Sequence, residues 1–183
     1  MKKIIYIEEE FLAPQLCQKF VDFALSKKDE ELPYGNEERG GDTYITNIDC
    51  GGNLYQGGTP DCIELDDYKI FKDVTNSITD ICKGFDNNIR LDYSTIIRWP
   101  LGTFMKPHYD NSYQDNPDVF ASILYLNDDF SGGHTCFEEF EIKPKTGKLV
   151  IFSNSQYLHH VSKIEGGQRF VLSLWYSGLT PPP

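Results

Sequence analysis

His108 and Asp110 are separated by a single residue, and their side chains could share a metal ion. In an extended segment, residues i and i+2 point to the same face, which places one imidazole and one carboxylate side by side. A second histidine from a later strand would complete a 2-His-1-carboxylate triad, which leaves open positions on iron(II). The triplet alone decides little, because 28 acidic residues among 183 make a chance match to one of four histidines about an even bet.

A later stretch, YLHHVSKIEGGQR at 157–169, supplies further histidines and a basic residue. The turn IEGGQ predicts a hairpin that brings Arg169 back beside the strand holding His159 and His160. A guanidinium suits a bidentate pair with a carboxylate, such as the far end of a dicarboxylic acid. On the residues alone, a structural pair between Arg169 and one of the many local acids is an equally good interpretation.

Length and composition predict a single globular domain of 183 residues with a β-rich core. Hydrophobic content is 39% and aromatic content 14%, with 12 Phe and 11 Tyr. The formal net charge of −11 argues against non-specific binding to nucleic acid or to an anionic membrane surface. A neutral or basic protein partner is easier to accommodate.

The cysteines are scattered and include no CxxC pair: Cys17, Cys50, Cys62, Cys82 and Cys136. We therefore expect reduced thiols, a cytoplasmic location and no zinc site. The N-terminal segment MKKIIYIEEE has an apolar run too short for a signal peptide or a membrane span.

The hydrophobic pattern predicts amphipathic helices over 13–28 and 67–85. Short strands are predicted at 3–7, 93–99, 120–126, 135–142, 148–153 and 170–176. These features indicate an α+β fold, a double-stranded β-helix (jelly roll) buttressed on one face by helices. Residues 1–88 would form a helical support and a mobile loop, and 89–177 the catalytic core. The loop at 29–60, with one strand at 43–48, is predicted to be an acidic lid over the substrate; an idle surface loop is the alternative.

Five stretches in order resemble the prolyl 4-hydroxylase-like branch of the iron(II)/2-oxoglutarate-dependent dioxygenases. They read IIRWPLGTFMKPHYDN, ASILYLND, SGGHTCF, IKPKTGKLVIF and HHVSKIEGGQRFVLSLW. By this resemblance His108, Asp110 and His159 match the iron ligands. Arg169 matches the basic residue that binds the C5 carboxylate of 2-oxoglutarate, and Tyr125 matches a hydroxyl that assists it.

The resemblance implies oxidative decarboxylation of 2-oxoglutarate to succinate and carbon dioxide, coupled to hydroxylation of a substrate C–H bond. It implies iron(II), 2-oxoglutarate and O2, with ascorbate as an optional reductant. Two departures, Trp99 where many members have tyrosine near the cosubstrate and Arg169 where collagen-type enzymes have lysine, argue against close kinship with the collagen enzymes.

A peptidyl proline is the favoured substrate, so a protein or peptide partner is expected. A small molecule such as a free amino acid and a non-catalytic jelly-roll binding module are the alternatives. Nucleic-acid repair of the AlkB kind is disfavoured, because that group carries a second arginine where this chain has Trp175.

The paired histidines leave a choice of register, since some family members place the basic residue nine positions after the ligand and others ten. Nine positions would select His160. Counting from His159 restores the remaining pattern, with Val161, Ile164 and Gly167 in their places. Successive side chains of a strand alternate, so only one of the pair can face the metal. We predict His159.

Overall fold

The structure, a computed structural model, describes residues 3–36, 40–47, 65–110 and 118–179. Two antiparallel sheets contain most of its strands, numbered here in chain order. The larger sheet has the spatial order β1 (Ile5–Glu8), β10 (Leu149–Phe152), β6 (Asp118–Tyr125), β13 (Arg169–Gly178), β4 (Ile89–Trp99), β3 (Gly41–Asn47) and β2 (Leu32–Asn36). The smaller sheet has the order β5 (Met105–His108), β11 (His159–Val161), β8 (Thr135–Phe137) and β9 (Glu141–Ile142). A short ribbon pairs β7 (Ser131–Gly132) with β12 (Ile164–Gly166).

Two helices, α1 (Pro14–Ser26) and α2 (Leu65–Phe85), cover one face of the larger sheet. Pro14 at the start of α1 fits the first helical turn, where a missing N–H costs nothing. Phe20 of α1 and Ile78 of α2 are fully buried together with Phe170, Leu172 and other residues of β13. The helices therefore support the sheet from outside.

The other face of the larger sheet packs against the smaller sheet. Side chains alternate along each strand, so Val171 of β13 points away from the helices and joins Tyr125, Phe152, Val161 and Ile164 in a second apolar cluster. Two facing antiparallel sheets with helices on one outer side form the jelly roll that the sequence predicts.

Most predicted elements are present with shifted ends. The helices predicted at 13–28 and 67–85 are α1 and α2, and the strands at 93–99 and 170–176 lie within the longer β4 and β13. The strand predicted at 135–142 is interrupted by a turn and becomes β8 and β9. The short strands β5, β11 and β12 have too few residues to show a period in the sequence.

The strand predicted at 43–48 is present as β3, whereas the loop predicted for the rest of 29–60 is wrong where β2 forms. Strands β2 and β3 pair with each other, and β3 pairs with β4, which adds a hairpin to the edge of the larger sheet. The segment LPYGN has weak intrinsic strand preference, and pairing with β3 overrides it. Proline at position 33 is tolerated because β2 is an edge strand. Residues 37–39 and 48–60 lie outside the described part of the chain, so the lid remains a prediction.

A buried ion pair fastens this hairpin to the sheet. Arg98 of β4 is 8% exposed, and its Nε donates to Glu31 Oε1 at 2.9 Å while Nη2 bonds to the other carboxylate oxygen. Its Nη1 donates to Gln168 at 3.2 Å, and the guanidinium carbon lies 4.2 Å from the centre of the Tyr44 ring. Bidentate pairing of this kind satisfies a buried arginine.

Within the described residues, Cys17, Cys82 and Cys136 are free and buried; Cys50 and Cys62 lie outside that part of the chain. Burial raises the pKa of the Cys17 thiol to about 11 and that of Cys82 to about 12. These two thiols are therefore protonated at neutral pH and behave as core side chains. Among the described helices, neither α1 nor α2 is both long and apolar enough to cross a bilayer.

The turn between β9 and β10 predicts a sharp difference between two glycine substitutions. Gly147 has φ +82°, and a Cβ placed there would lie 2.1 Å from the Leu12 carbonyl oxygen. Gly147→Ala should lower the free energy of unfolding by about 1–3 kcal/mol in urea denaturation, because backbone must move. Gly84→Ala in α2, where a Cβ meets nothing within 4 Å, should leave stability unchanged or raise it. Equal effects of the two changes would contradict this account of the turn.

Candidate active site

His108 and His159 face each other across the smaller sheet. They are direct partners in the antiparallel pairing of β5 with β11, and their ring centroids lie 4.3 Å apart. His159 is 6% exposed and packs edge-on against Phe152, at 4.8 Å between ring centroids. The strand pairing therefore brings together two histidines that are 51 positions apart in the sequence.

A backbone hydrogen bond orients each imidazole. His108 Nδ1 lies 2.8 Å from the Lys106 carbonyl oxygen, and His159 Nδ1 lies 3.0 Å from the Tyr157 carbonyl oxygen. Because a carbonyl oxygen only accepts, both Nδ1 atoms must carry the proton. In the neutral rings, both Nε2 lone pairs are then left for a ligand, as in metal-bound histidines.

Asp110 completes the group just beyond the end of β5. Its Oδ1 lies 3.3 Å from His108 Nε2, and its Oδ2 lies 3.7 Å from His159 Nε2. Burial alone would raise the pKa of Asp110, but the hydrogen bond with His108 and the charges of both imidazoles, which act when those rings are protonated, lower that pKa overall. In the part of the chain that the structure describes, this is the one group of three potential ligands whose donor atoms all lie within 4.8 Å of one another.

The three residues present only acceptors to the space between them when both imidazoles are neutral. Burial, opposed by the charge of Asp110, lowers the pKa of His159, which favours its neutral form. Two lone pairs and a carboxylate directed at one another repel unless a cation lies between them. Two nitrogens and one oxygen form the donor set of a facial triad, so these residues fit an iron(II) ion.

The remaining histidines lie on the opposite side of the smaller sheet. His160 pairs with Cys136 across β11 and β8, one position from the inward-facing pair of His159 and Phe137. Alternation along both strands therefore directs His160 outward. His134 lies at the rim, where its Nδ1 is 3.2 Å from Glu141 Oε1.

Arg169 lies in the interior between the sheets and is 1% exposed. Its Nη2 donates to Thr135 Oγ1 at 3.4 Å, and the Tyr125 hydroxyl, a second neighbour, bonds to Thr135 at 2.6 Å. Its Nε has no hydrogen-bond partner within the described residues. Burial, opposed by Tyr125, lowers the pKa of Arg169, and burial also raises the pKa of Tyr125, which keeps the phenol neutral.

The two buried arginines, Arg98 and Arg169, differ in whether a described carboxylate pairs with them. Both arginines are buried on neighbouring strands, and both lie against aromatic rings. Arg98 has the carboxylate of Glu31, whereas no described carboxylate pairs with Arg169. A buried guanidinium without a counter-ion is costly, so an anion bound beside Arg169 would compensate a charge that no described carboxylate balances.

Trp99 is the direct partner of Arg169 in the pairing of β4 with β13. It is buried, and its ring centre lies 5.3 Å from the guanidinium carbon of Arg169; Tyr125 lies at 5.4 Å on another side. These two aromatic rings favour a cation near their faces and exclude water around it.

Two residues of the site were not among those selected from the sequence. Thr135 is fully buried and bonds to both Tyr125 and Arg169, and Trp175 contributes to the lowering of the Asp110 pKa. Trp175 stands six residues after Arg169, an even number along one strand, so alternation gives a signal that both face the same side. Thr135 gives no comparable signal, because its role depends on how the two sheets face each other.

The sequence of this chain is similar to one protein family and to several curated enzymes. Residues 94–177 match the 2OG-Fe(II) oxygenase superfamily. Among curated proteins, prolyl 3-hydroxylase 2 of Rattus norvegicus is 36% identical over an alignment of 66 residues that covers 32% of this chain and 9% of that protein. Prolyl 3-hydroxylase 1 of Gallus gallus is 38% identical over 66 residues, with the same coverage. The chain thus spans about a tenth of the length of these curated relatives.

Solved structures resemble the whole fold. A Pseudomonas putida prolyl-4-hydroxylase superposes with a TM-score of 0.72 at 20% identity, over 95% of this chain and 92% of that one. A Trichoplax adhaerens prolyl hydroxylase, in complex with a peptide fragment of the hypoxia-inducible factor oxygen degradation domain, gives 0.71 at 19% identity, over 95% and 83%. At these identities the likeness establishes the fold.

The burial of His159 predicts how metal-free stability depends on pH. The pKa of His159 is lower in the folded chain than the ordinary 6.5, so between those two values the unfolded chain binds more protons. Stability should therefore fall as pH drops from about 6.5 toward the folded pKa. Asp110 acts in a separate window below its ordinary 3.8, where stability is lost as pH falls through its lowered pKa.

Urea denaturation with chelator at a series of pH values measures this dependence. The dependence between pH 6.5 and the folded pKa should weaken in His159→Asn and persist in His160→Asn, the matched control one residue away. An undiminished dependence in His159→Asn would show that another group causes it.

Proposed function

We propose that this protein is an iron(II)- and 2-oxoglutarate-dependent oxygenase that hydroxylates a peptidyl proline, since residues 94–177 match the 2OG-Fe(II) oxygenase superfamily. One observation carries the proposal: the same interior combines an acceptor-only triad with a buried arginine that lacks a counter-ion. The triad needs a cation and the arginine needs an anion, which is the pair of ligands that such an oxygenase takes.

His108, Asp110 and His159 would hold the iron. Strand pairing fixes the two histidines, and their backbone bonds direct Nε2 toward the shared space. A ligand set contributed by one side only leaves the other positions of an octahedral ion for cosubstrate and oxygen. His160 faces outward from the same strand and would not contribute.

Arg169 would hold the distal carboxylate of 2-oxoglutarate. Its unpaired Nε and its position against Thr135 and Tyr125 offer several donors to one anion, and the neutral phenol of Tyr125 can donate as well. Trp99 closes the space beside the guanidinium. The carboxylate bound in this interior would act as the counter-ion that Arg169 lacks among the described residues.

Bound iron(II) would supply the redox chemistry by which 2-oxoglutarate, O2 and a substrate C–H become succinate, carbon dioxide and a substrate C–OH. The chain's own part is to fix the ligands and to exclude water. Phe152 beside His159, and Trp99 with Tyr125 beside Arg169, keep the interior apolar apart from the groups that bind.

The choice of a peptidyl proline rests on the names of the relatives, which include prolyl 3-hydroxylases and prolyl-4-hydroxylases. The Trichoplax enzyme forms a complex with a peptide fragment, which supports a peptide partner here. We infer a single catalytic unit with residues 89–177 at its centre. The use of ascorbate, the cytoplasmic location and the lid predicted within 29–60 stay predictions.

Succinate formation tests the proposal most directly. Protein with iron(II) and 2-oxoglutarate should release succinate slowly alone and faster with proline-containing peptides, and mass spectrometry should find one added oxygen on proline. Stimulation by free amino acids and not by peptides would favour a small-molecule hydroxylase. Absence of succinate with every substrate, despite bound iron and 2-oxoglutarate, would favour a binding module without turnover.

The two adjacent histidines give a matched test of the metal ligands. His159→Ala should abolish iron binding and succinate formation, because it removes one of three donors, whereas His160→Ala should retain both. Metal content after dialysis and succinate release measure the two effects. Loss with His160→Ala and retention with His159→Ala would show that the ligand is His160, on the other face of β11.

Removal of the interior guanidinium should weaken 2-oxoglutarate binding selectively. Loss of a charge-assisted, buried pair costs about 2–5 kcal/mol, so Arg169→Ala should raise the Kd for 2-oxoglutarate by roughly thirtyfold or more. Calorimetric titration of anaerobic, Mn(II)-loaded protein measures this Kd. Arg90→Ala, an exposed arginine on β4, is the control and should leave the Kd unchanged. An unaltered Kd in Arg169→Ala would place the carboxylate elsewhere.

A further inference from the structure

We infer that the outer face of the smaller sheet holds a second metal site, suited to Zn(II) and centred on Cys136. Its other ligands would be three side chains around that thiol: His134, Glu141 and His160. The inference goes beyond the proposed function, because it concerns the side of the sheet that faces away from the proposed iron ligands. It also departs from the absence of a zinc site expected from the cysteine spacing, since strand pairing assembles these residues and no sequence motif does.

Cys136 lies at the centre of one row of paired residues. On β8 it is the direct partner of His160 on β11 and, on its other side, of Glu141 on β9. Direct partners in an antiparallel sheet share a face, with Cβ atoms about 4.5–5.5 Å apart. Thr135, the residue before Cys136, bonds to Arg169 in the interior, so alternation directs the whole row outward.

His134 joins this row from the same strand as the thiol. Its backbone N–H donates to Ser162 Oγ at 2.9 Å, and its carbonyl oxygen accepts from the Ser162 N–H at 3.0 Å, so the pairing of β8 with β11 continues to this residue. Two residues before Cys136, His134 therefore shares its face. The same spacing of two residues joins His108 to Asp110 in the proposed iron site.

Glu141 contacts both of its neighbours with different oxygens. Its Oε1 lies 3.2 Å from His134 Nδ1, and its Oε2 lies 4.0 Å from Cys136 Sγ. Ligand atoms at about 2.0–2.3 Å from a tetrahedral zinc ion lie roughly 3.3–3.5 Å from one another, so both spacings are close to those of a zinc site. A hydrogen bond of 2.8 Å from the Phe137 N–H to the Phe140 carbonyl oxygen closes the turn before Glu141 and restrains its position.

The types of these four side chains select the ion. A thiolate, imidazoles and a carboxylate are the ligands that zinc takes in proteins, whereas Mg(II) and Ca(II) take oxygen ligands. Cys136 is 8% exposed, while the side chains of His134 and Glu141 are 26% and 62% exposed, so the outer ligands can turn to enclose an ion that enters from solvent. Binding would replace the thiol proton, since the thiolate is the form that binds metal.

The two adjacent histidines of β11 would then serve separate ions. His159 faces inward as the partner of His108, and His160 faces outward as the partner of Cys136. An ion on the outer face would join β9, β8 and β11, and it would restrain the strand that holds His159. Its binding free energy would add to the stability of the folded chain.

Substitution with Co(II) tests this site in the full chain. Co(II) bound to a thiolate absorbs in the near ultraviolet through sulfur-to-metal charge transfer, and the inner triad, which has no sulfur ligand, does not give this band. The parent should show the band, and excess Zn(II) should remove it by competition. Cys136→Ser should abolish the band. The double variant Cys50→Ser/Cys62→Ser, a control for the cysteines outside the described part of the chain, should retain it.

The paired histidines separate this site from the proposed iron site. His160→Ala should weaken Co(II) binding at the thiolate site by about tenfold or more, because even the outer partners of metal ligands contribute 10- to 100-fold, and it should retain iron binding. His159→Ala should lose iron binding and retain the thiolate band. Glu141→Gln, at an exposed side chain, should fold as the parent does and should also weaken Co(II) binding.

Each outcome decides between the two sites. A parent without the thiolate band, a band that persists in Cys136→Ser, or a band lost in the Cys50→Ser/Cys62→Ser control would overturn the inference. If Cys136→Ser does not fold, Glu141→Gln and His160→Ala decide: parent-like Co(II) affinity in both would overturn it. A parent that shows the band but binds no iron would overturn the proposed function alone.

Discussion

Alternation of side chains along β13 is the constraint on which the rest of the structure depends. Phe170, Leu172 and Leu174 pack beneath the helices, while Arg169, Val171 and Trp175 face the other sheet. A shift of one residue in register would bury the guanidinium among helix side chains and expose the apolar face. The pairing of β13 with β4 and β6 therefore secures the hydrophobic core and the anion-binding end of the site together.

Much of the site could be predicted because its residues are close in sequence or keep fixed offsets. The two-residue step from His108 to Asp110 places both ligand atoms in one group with His159. Arg169, ten residues after His159, lies on β13 of the larger sheet and faces the smaller sheet that holds His159. Contacts between sheets could not be predicted in this way. Thr135 meets Tyr125 and Arg169 only because the smaller sheet lies opposite the larger one, and no local pattern in the sequence encodes that distance.

The edge of the larger sheet shows the limit of local propensity. Glycine, proline and asparagine in LPYGN indicate a loop, yet β3 and β4 provide a template on which this segment pairs. The buried pair between Arg98 and Glu31 then fixes the start of the hairpin, with Tyr44 and Gln168 around the guanidinium. This network joins side chains from four separate segments, so the sequence of any one segment does not predict it.

If Arg169 binds the distal carboxylate of the cosubstrate as proposed, its charge, which no described carboxylate balances, would link cosubstrate supply to the lifetime of the protein. An anion that fills this place binds the folded chain and has no comparable site on the unfolded one, so it shifts the folding equilibrium by mass action. At a ligand concentration one hundred times its Kd, the gain is about 2.7 kcal/mol, a sizeable part of the stability of an ordinary domain. A cell short of that dicarboxylate would leave more of the chain unfolded and open to proteases. Metabolic state would then set the amount of the protein as well as its rate.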